Sequence, residues 1–242
     1  MRLTMRSKLK NAFRLYLLIS LIMAFLAFGL IFYSVQYSKQ QYAENILETP
    51  YAYRIYTFSN PDMKDMPYYG DIKAGITFTA FTDINSDASR HFAEEIYPAL
   101  KKDYFDSGIM KFYYKPYITL QDIEERNSNF EASMILECVK KIKKEKYYDA
   151  YFDMVLKNIS DGRKIIYSHK IPINSYNECM YSEEALKALY KNALEIEGLG
   201  MAGINQRFYI GIGGKDSIIL DGVRQYEEFQ QAIRQQEIKI GN

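Results

Sequence analysis

Cysteine and histidine, which often act as nucleophiles, general bases or metal ligands, are scarce in this sequence. It has two cysteines and two histidines among 242 residues. A zinc site built from Cys and His would need all four, and neither a C-x-x-C nor an H-x-x-x-H spacing occurs. His91 closely follows two serines, Ser86 and Ser89. A serine hydrolase would also need a Gly-x-Ser-x-Gly elbow and an acid spaced to orient the imidazole, and the sequence has neither. We therefore predict no metal, no cofactor and no hydrolase site.

The overall composition narrows the classes of function. Lys and Arg number 31 against 30 for Asp and Glu, so the charge balance gives no sign of nucleic-acid binding. Hydrophobic residues make up 48% and aromatic residues 15% of the chain, which excludes a disordered protein. A length of 242 residues accommodates one good-sized domain and an appendage.

The N-terminal part of the chain has the pattern of a membrane anchor. Residues 15–35 form an uncharged apolar run of 21 residues, which as a helix can cross a hydrocarbon core of roughly 30 Å. Residues 1–14 carry five cations and no acid, which favours a cytoplasmic N-terminus and an exported remainder. A cleavable signal peptide is the alternative, but its apolar region is normally about 7–15 residues long and ends at a small-x-small site. We expect an uncleaved single-pass anchor.

Residues 36–70 separate this anchor from the rest of the chain. They are polar and rich in tyrosine, and prolines at positions 50, 61 and 67 interrupt any long helix. We interpret this stretch as a membrane-proximal spacer, with one short strand predicted at Tyr53–Phe58.

The first half of the exported domain, which we place at residues 71–242, begins with a strand–helix–strand pattern. A run of β-branched and aromatic residues over 76–81 predicts a strand. A helix follows to about Tyr104, with a kink expected at Pro98, and residues 109–114 predict the next strand. A connection of this length favours a parallel pair with a right-handed crossover.

The second half continues with helices and then returns to strands. Apolar periodicity predicts a long helical stretch from about residue 130 and another helix over 183–197. Two β-rich runs, 207–212 and 217–220, flank a Gly-Gly turn typical of a hairpin, and a last helix is predicted over 225–236. The order β-α-β, helices, β-β-α predicts an α/β fold, namely a thioredoxin-like core with an inserted helical domain at about residues 118–198.

The segment from Phe78 to Phe92 resembles the active-site region of the DsbA-like thiol–disulfide oxidoreductases. In that family an apolar strand ends in Asp, two residues intervene, and Cys-x-x-Cys opens a helix with a basic residue and Phe. The stretch from Ile96 to Tyr104 is similar to the family's tyrosine–proline–leucine stretch, and Leu220 to Ile233 is similar to its closing strand and helix. The resemblance spans roughly residues 70–236 and implies the DsbA-like variant of the thioredoxin fold.

The same resemblance implies that the redox chemistry is missing. The family's two redox cysteines fall on Ser86 and Ser89. A thiolate at a helix N-terminus is the reactive species in such a motif, and serine cannot replace it in a disulfide. The family's cis-proline falls on Asn205 or Gln206. Because a cis bond before a residue other than proline costs about 3 kcal/mol, we expect a trans bond there.

The two cysteines lie elsewhere, at Cys138 and Cys179. Some relatives of the resembled family carry a non-catalytic disulfide between the inserted helices, and these positions are similar to it. An oxidising exported compartment favours pairing, and we predict a structural disulfide. Two buried free thiols remain the alternative.

These observations predict a membrane-anchored, redox-inactive DsbA-like domain that binds a protein or peptide, with the bilayer contacted through residues 15–35. The expected location is the bacterial inner membrane, with the domain periplasmic or otherwise extracytoplasmic. An assembly factor or scaffold of an envelope or secretion complex fits these features by analogy. The predicted binding groove consists of residues from the serine motif and from the start of the later strand: Ser86, Asp87, Ala88, Ser89, Asn205, Gln206 and Arg207.

Two other classes of function stay open. A periplasmic thiol–disulfide oxidoreductase or isomerase would require Cys138 or Cys179 to be exposed with a low thiol pKa. A cleaved, freely soluble periplasmic chaperone would require the apolar run to be a signal peptide.

Overall fold

A computed structural model describes residues 60–157, 161–213 and 215–241, together with the isolated positions 23, 29, 30 and 33, which are helical. The rest of the predicted anchor, and the strand predicted at Tyr53–Phe58, lie outside the described residues. Among the residues described, no helix has both the length and the apolar character needed to cross a membrane. The chain divides into two compact units, Met1–Ile55 and Tyr56–Asn242, and the described strands all belong to the second.

A five-stranded mixed sheet forms the centre of this unit. Its strands in chain order are β1 (Tyr69–Gly70), β2 (Ile76–Thr82), β3 (Met110–Pro116), β4 (Gln206–Ile212) and β5 (Lys215–Asp221). The spatial order is β1-β3-β2-β4-β5. Strands β2 and β3 are parallel, whereas the other neighbours are antiparallel. The predicted parallel crossover and the predicted β4–β5 hairpin are therefore confirmed.

The helices follow the predicted order and include three that the sequence analysis did not predict. Helix α1 (residues 87–105) lies between β2 and β3. After β3 come α2 (Leu120–Glu125), α3 (Ser128–Ile142), α4 (Tyr147–Leu156), α5 (Gly162–Ser168), α6 (Ile173–Met180) and α7 (Glu183–Gly198), and α8 (Tyr226–Gly241) follows β5. Helices α2 to α7 lie between β3 and β4, so the thioredoxin-like core with a helical insert is confirmed. The short helices α2, α5 and α6 were not predicted.

Helix α1 is irregular around its proline. It runs through four consecutive segments, which are Asp87–His91, the π-helical Phe92–Ile96, Tyr97–Leu100 and the π-helical Lys101–Phe105. Pro98 has no N–H to donate, and in a regular α-helix its ring would meet the carbonyl of Glu94. The helix widens instead, and the N–H of Tyr97 donates five residues back to Phe92.

The two faces of the sheet are covered differently, because side chains alternate along each strand. On one face, which we name the helix face, rings of Phe78, Phe112 and Phe208 contact aromatic rings of α1 and α8 at centroid distances of 4.9–6.5 Å, through Phe92, Phe105 and Phe229. These side chains are almost fully buried. The helix face therefore holds the main apolar core.

The opposite face, which we name the segment face, meets an extended stretch of chain. The Thr79 hydroxyl donates to the Met63 sulfur at 3.5 Å, and the rings of Tyr68 and Tyr113 lie 6.1 Å apart. Residues 60–70, which the sequence analysis placed in the spacer, thus pack on the sheet. Residues 60–70 therefore contact the segment face through polar groups as well as through apolar side chains.

The helical insert is joined to the sheet through tyrosines. The rings of Tyr114 on β3 and Tyr151 on α4 stack at 3.6 Å, and the Tyr151 hydroxyl lies 3.2 Å from that of Thr82. Tyr147 donates to the Tyr114 carbonyl at 3.2 Å. Burial raises the pKa of Tyr114 and Tyr147, so both phenols stay protonated donors. This interface fixes the insert beside the end of β2.

Candidate functional site

Strand β2 ends at Thr82, and the serine motif follows at the start of α1. Ser86 has an extended backbone and occupies the N-cap position, where its hydroxyl oxygen accepts the N–H of Ser89 at 3.1 Å. Serine is a favoured N-cap residue because its side-chain oxygen satisfies one of the free N–H groups of the first turn. The helix that the sequence predicts after the strand at 76–81 therefore begins at this serine.

The two serine hydroxyls form a closed pair. Their oxygens lie 3.0 Å apart, and both also lie within hydrogen-bond distance of the Asp83 carbonyl, at 2.9 Å for Ser86. Ser89 is fully buried, whereas Ser86 is half-buried. The hydroxyls thus have partners within the chain, and neither has a thiol's ability to exchange electrons.

The start of β4 lies beside this pair. The Asn205 carbonyl accepts the N–H of Asp83 at 3.0 Å, and the Gln206 side-chain amide donates to the Ala88 carbonyl at 3.1 Å. The described residues contain no cis peptide bond, so the expected trans bond at this position is observed. A glutamine that is 1% exposed therefore closes the space between β4 and the first turn of α1.

The structure brings six of the seven predicted groove residues together and separates Arg207. Alternation along β4 places Arg207 on the segment face, where its guanidinium binds both Asp221 carboxylate oxygens at 2.5 and 2.9 Å and the Leu199 carbonyl at 2.8 Å. Within the group of six, Asp87 and Asn205 are exposed, Ser86 and Ala88 are half-buried, and Ser89 and Gln206 are buried. The accessible part of the site is thus mainly Asp87, Asn205 and the edge of Ser86.

Two neighbours of the motif were not singled out as site residues from the sequence. The Asn85 amide donates to the Asn129 side-chain oxygen at 2.7 Å, which joins the motif loop to the first turn of α3. No sequence signal predicts this pair, since its members are 44 residues apart. The Nε2 atom of His91 is buried and has no hydrogen-bond partner in the described part of the chain. It does not contact the serine hydroxyls, so a Ser–His hydrolase pair is not formed.

The predicted disulfide is confirmed. Cys138 on α3 and Cys179 on α6 are bonded, with their Cα atoms 5.7 Å apart, and both residues are buried. Closing a loop of this length stabilises a domain by roughly 4 kcal/mol in the chain-entropy model. The bond ties the two halves of the helical insert together, and neither sulfur is exposed as a reactive thiol would be.

A family model described as thioredoxin matches residues 62–239, which is most of the unit that carries the sheet. The chain belongs to the thioredoxin family. No relative with a curated description matches it in sequence.

Solved structures that resemble this thioredoxin-family domain are DsbA-like proteins. BdbD from Bacillus subtilis matches with a TM-score of 0.63 and 18% identity, over 73% of this chain and 95% of that one. The α-DsbA1 protein of Wolbachia pipientis matches with a TM-score of 0.60 and 20% identity, over 75% and 94%. DsbA from Chlamydia trachomatis matches with a TM-score of 0.55 and 21% identity, over 72% and 93%. At these identities the likeness establishes a DsbA-like thioredoxin fold, as predicted from the sequence.

Proposed function

We propose that Ser86 and Ser89 stand where DsbA-like oxidoreductases carry their redox cysteines, and that this domain binds a protein or peptide without exchanging electrons. The observation that carries the proposal is the closed hydroxyl pair, 3.0 Å apart at the start of α1. A disulfide needs two sulfurs, and the cysteines of the chain are already bonded to each other in the helical insert.

The exposed residues of the site, Asp87 and Asn205, support a binding role, and we name them the motif rim. Asp87 and Asn205 are exposed on the two sides of the serine pair. The Asn205 carbonyl accepts the Asp83 N–H at 3.0 Å, which holds the start of β4 beside the motif loop. An exposed carboxylate and an exposed amide side chain next to the end of a strand can bind polar groups of an extended partner. The partner is therefore expected to contact the rim and not the buried Gln206.

The proposed location follows from the sequence pattern. An anchor at residues 15–35 would hold the domain at the outer side of the bacterial inner membrane, where an envelope or secretion complex supplies protein partners. Extraction of membranes without detergent tests this part of the proposal. Release of all the protein into the soluble wash, with none left in the membrane fraction, would contradict the anchor and favour a cleaved, soluble chaperone.

The redox part is tested by insulin-reduction and dithiol-oxidation assays on the full chain in detergent, with thiols counted before and after denaturation. We expect no turnover and no free thiol in the absence of reductant. Turnover that disappears in Cys138→Ser or Cys179→Ser would establish the oxidoreductase alternative instead. The burial of both cysteines in the insert argues against that outcome.

The binding part is tested with a photo-crosslinking side chain placed at Asn205 or Asp87. Both positions should yield the same crosslinked partner in intact membranes. A matched control at Tyr181, which is 92% exposed on the helical insert, should not yield it. Equal crosslinking at all three positions would show that the contact does not involve the motif rim.

A further inference from the structure

A buried ion pair lies on the segment face, at the end of β3. The ammonium of Lys115 bonds the carboxylate of Glu195 on α7, and their side chains are only 7% and 6% exposed. Burial lowers the pKa of Lys115, although the Glu195 carboxylate opposes this effect. Removing two charges from water costs more than their attraction returns unless further hydrogen bonds satisfy them. Those further bonds are made to one residue, Asp62.

The pair holds both main-chain groups of Asp62. The N–H of Asp62 donates to Glu195 Oε1 at 2.7 Å, and its carbonyl accepts from Lys115 Nζ at 3.0 Å. The two members of one ion pair thus bind the N–H and the carbonyl of the same residue. We name this pair, Lys115 and Glu195, the main-chain clamp. Such an arrangement recognises an extended backbone whatever its side chains are.

A third charged residue recognises the side chain. Lys191, one turn before Glu195 on α7, donates to the Asp62 carboxylate at 2.9 Å. Burial by itself would raise the pKa of Asp62, but hydrogen bonds from the Lys64 N–H and Lys191 outweigh it and lower the pKa. Asp62 is therefore held as a carboxylate, and the clamp combines main-chain recognition with a preference for an acidic residue.

The segment that occupies the clamp fills its surroundings incompletely. Next to the clamp lies a cavity of about 190 Å³, bounded by residues 62–66, α3 and α7. Ser133 and Asn192 are among the residues that border this cavity. Each has a buried side-chain oxygen, Ser133 Oγ and Asn192 Oδ1, with no hydrogen-bond partner among the described residues. Ser133 is almost fully buried, since only 1% of it is exposed. A buried polar group without a partner is costly, so a ligand that paired these atoms would bind better than the present one.

The backbone of the segment supports the same interpretation. Asp65 also borders the cavity, and it adopts a left-handed conformation with φ of 63°. Aspartate tolerates this region better than most residues, but at some energetic cost. Its side chain is exposed and makes no hydrogen bond to Ser133 Oγ or Asn192 Oδ1.

We propose that Lys115, Glu195 and Lys191 form a binding site for an extended acidic peptide of a partner protein, and that residues 60–66 are its resident, displaceable ligand. The partner peptide carries an aspartate in the place of Asp62. A few residues later it carries an amide side chain that pairs Ser133 and Asn192. The site lies on the segment face, whereas the serine motif leads into α1 on the helix face, so this inference is independent of the proposed function.

The test uses the full chain in detergent, with an N-terminal affinity tag and a protease recognition sequence inserted between Ile72 and Lys73. These residues lie in an exposed turn between β1 and β2, where insertions are tolerated best. After cleavage the tagged fragment should retain the rest of the domain. An excess of a synthetic peptide spanning residues 60–72 should then release the domain, because it offers the same contacts as the tagged fragment.

Three comparisons decide the outcome. A peptide with Asp62→Ala should need about ten-fold more to release the domain, since it lacks the carboxylate bound by Lys191. A peptide with Asp65→Asn should need less than the wild type, because its amide can donate to Asn192. In the chain itself, Lys191→Ala should weaken retention several-fold. Lys187→Ala, one turn earlier on α7 and paired with Glu183, is the matched control and should leave retention unchanged.

The opposite results are equally definite. Separation of the fragments on cleavage alone would show that the clamp does not bind the segment. Retention that no concentration of peptide reverses would make residues 60–66 a permanent part of the fold. Equal release by the wild-type and Asp62→Ala peptides would remove the acidic preference, and no gain from Asp65→Asn would remove the cavity from the site.

Discussion

The serine motif and the main-chain clamp lie at the same end of the sheet but on opposite faces, and they satisfy their polar groups in different ways. At the motif, Ser86 and Ser89 bond each other and the Asp83 carbonyl. At the clamp, Lys115 and Glu195 depend on a separate stretch of chain for their remaining hydrogen bonds. The first site is closed by its own residues, whereas the second is filled by a separate segment of the chain, residues 60–66.

This difference predicts how each site responds to substitution. Removing a residue from a closed site lowers the stability of the domain. Such a site becomes reactive only if a substitution introduces a reactive group such as a thiol. A filled site can lose its ligand while the rest of the domain stays folded. Four experiments separate these behaviours, and they are arranged from the largest expected effect to the smallest.

The largest change is expected from Ser86→Cys together with Ser89→Cys. The hydroxyl oxygens lie 3.0 Å apart, and sulfurs in their places would lie close enough to bond with small adjustments. The helix N-terminus would lower the pKa of the thiol introduced at position 86. We expect the double variant to form a second disulfide with glutathione disulfide as the oxidant, and to change from no insulin reduction to measurable turnover.

The single variants provide the control for this experiment. Neither Ser86→Cys nor Ser89→Cys alone should support turnover, because a single thiol cannot complete the exchange. If the double variant folds but forms no disulfide between positions 86 and 89, then the motif geometry differs from that of a redox-active helix start. The proposed correspondence with the family's cysteines would then be lost.

The next largest effect concerns the clamp. Glu195→Leu alone leaves the Lys115 ammonium buried without its partner, and should cost about 3–5 kcal/mol of unfolding free energy. Lys115→Met combined with Glu195→Leu removes both charges and replaces them with apolar groups of similar volume. The double variant should recover most of that loss, since such replacements are often neutral or stabilising. Denaturant unfolding of the three chains measures both quantities.

Binding should follow a different pattern from stability in these variants. The double variant lacks both groups that hold the Asp62 backbone, so after cleavage in the turn at residues 72–73 it should no longer retain the tagged fragment. A double variant that is stable and still retains the fragment would show that the clamp adds nothing to the recognition of residues 60–66.

A smaller effect is expected at the closed site from Gln206→Ala. The substitution removes the hydrogen bond to the Ala88 carbonyl and leaves unfilled space beneath α1, which together should cost about 1–3 kcal/mol. Gln121→Ala on α2 is the matched control, because the Gln121 side chain is exposed and bonds Glu125 on the same helix. Equal losses in the two variants would mean that Gln206 does not hold β4 against α1.

Much of the fold could be predicted because its signals are local. Apolar periodicity along α3 and the β-rich runs of β2 and β4 lie within single elements, and their order predicted the inserted helical domain. Ser86 as a helix cap is local as well, since its partner Ser89 is three residues away. The irregularity of α1 could be expected at Pro98, but the π-helical form that it takes could not.

The contacts that define the two sites are long-range, and this is why the sequence did not predict them. Asp62 bonds residues 53 and 133 positions away, and its segment has prolines and no apolar period, so it resembles a spacer. The position of Arg207 is different, because alternation along β4 already separates it from Gln206. Grouping both residues in one groove overlooked a rule that the sequence could have supplied.

The smallest predicted effect, from Ser133→Ala, bears directly on whether the clamp's cavity awaits a ligand. The Ser133 hydroxyl is buried on α3 and has no partner within the described residues, so its removal should stabilise the free domain by about 1 kcal/mol, part of which is the better helix propensity of alanine. Ser168→Ala on α5, where the serine is exposed, measures the propensity contribution alone. Two results together would mean that the hydroxyl is unpaired until a ligand arrives. The gain at Ser133 would exceed the control, and the Asp65→Asn peptide would release the Ser133→Ala chain less well than it releases the wild-type chain. A loss of stability would mean that the hydroxyl is already satisfied by water, and the cavity would then be a hydrated space with no preference for an amide.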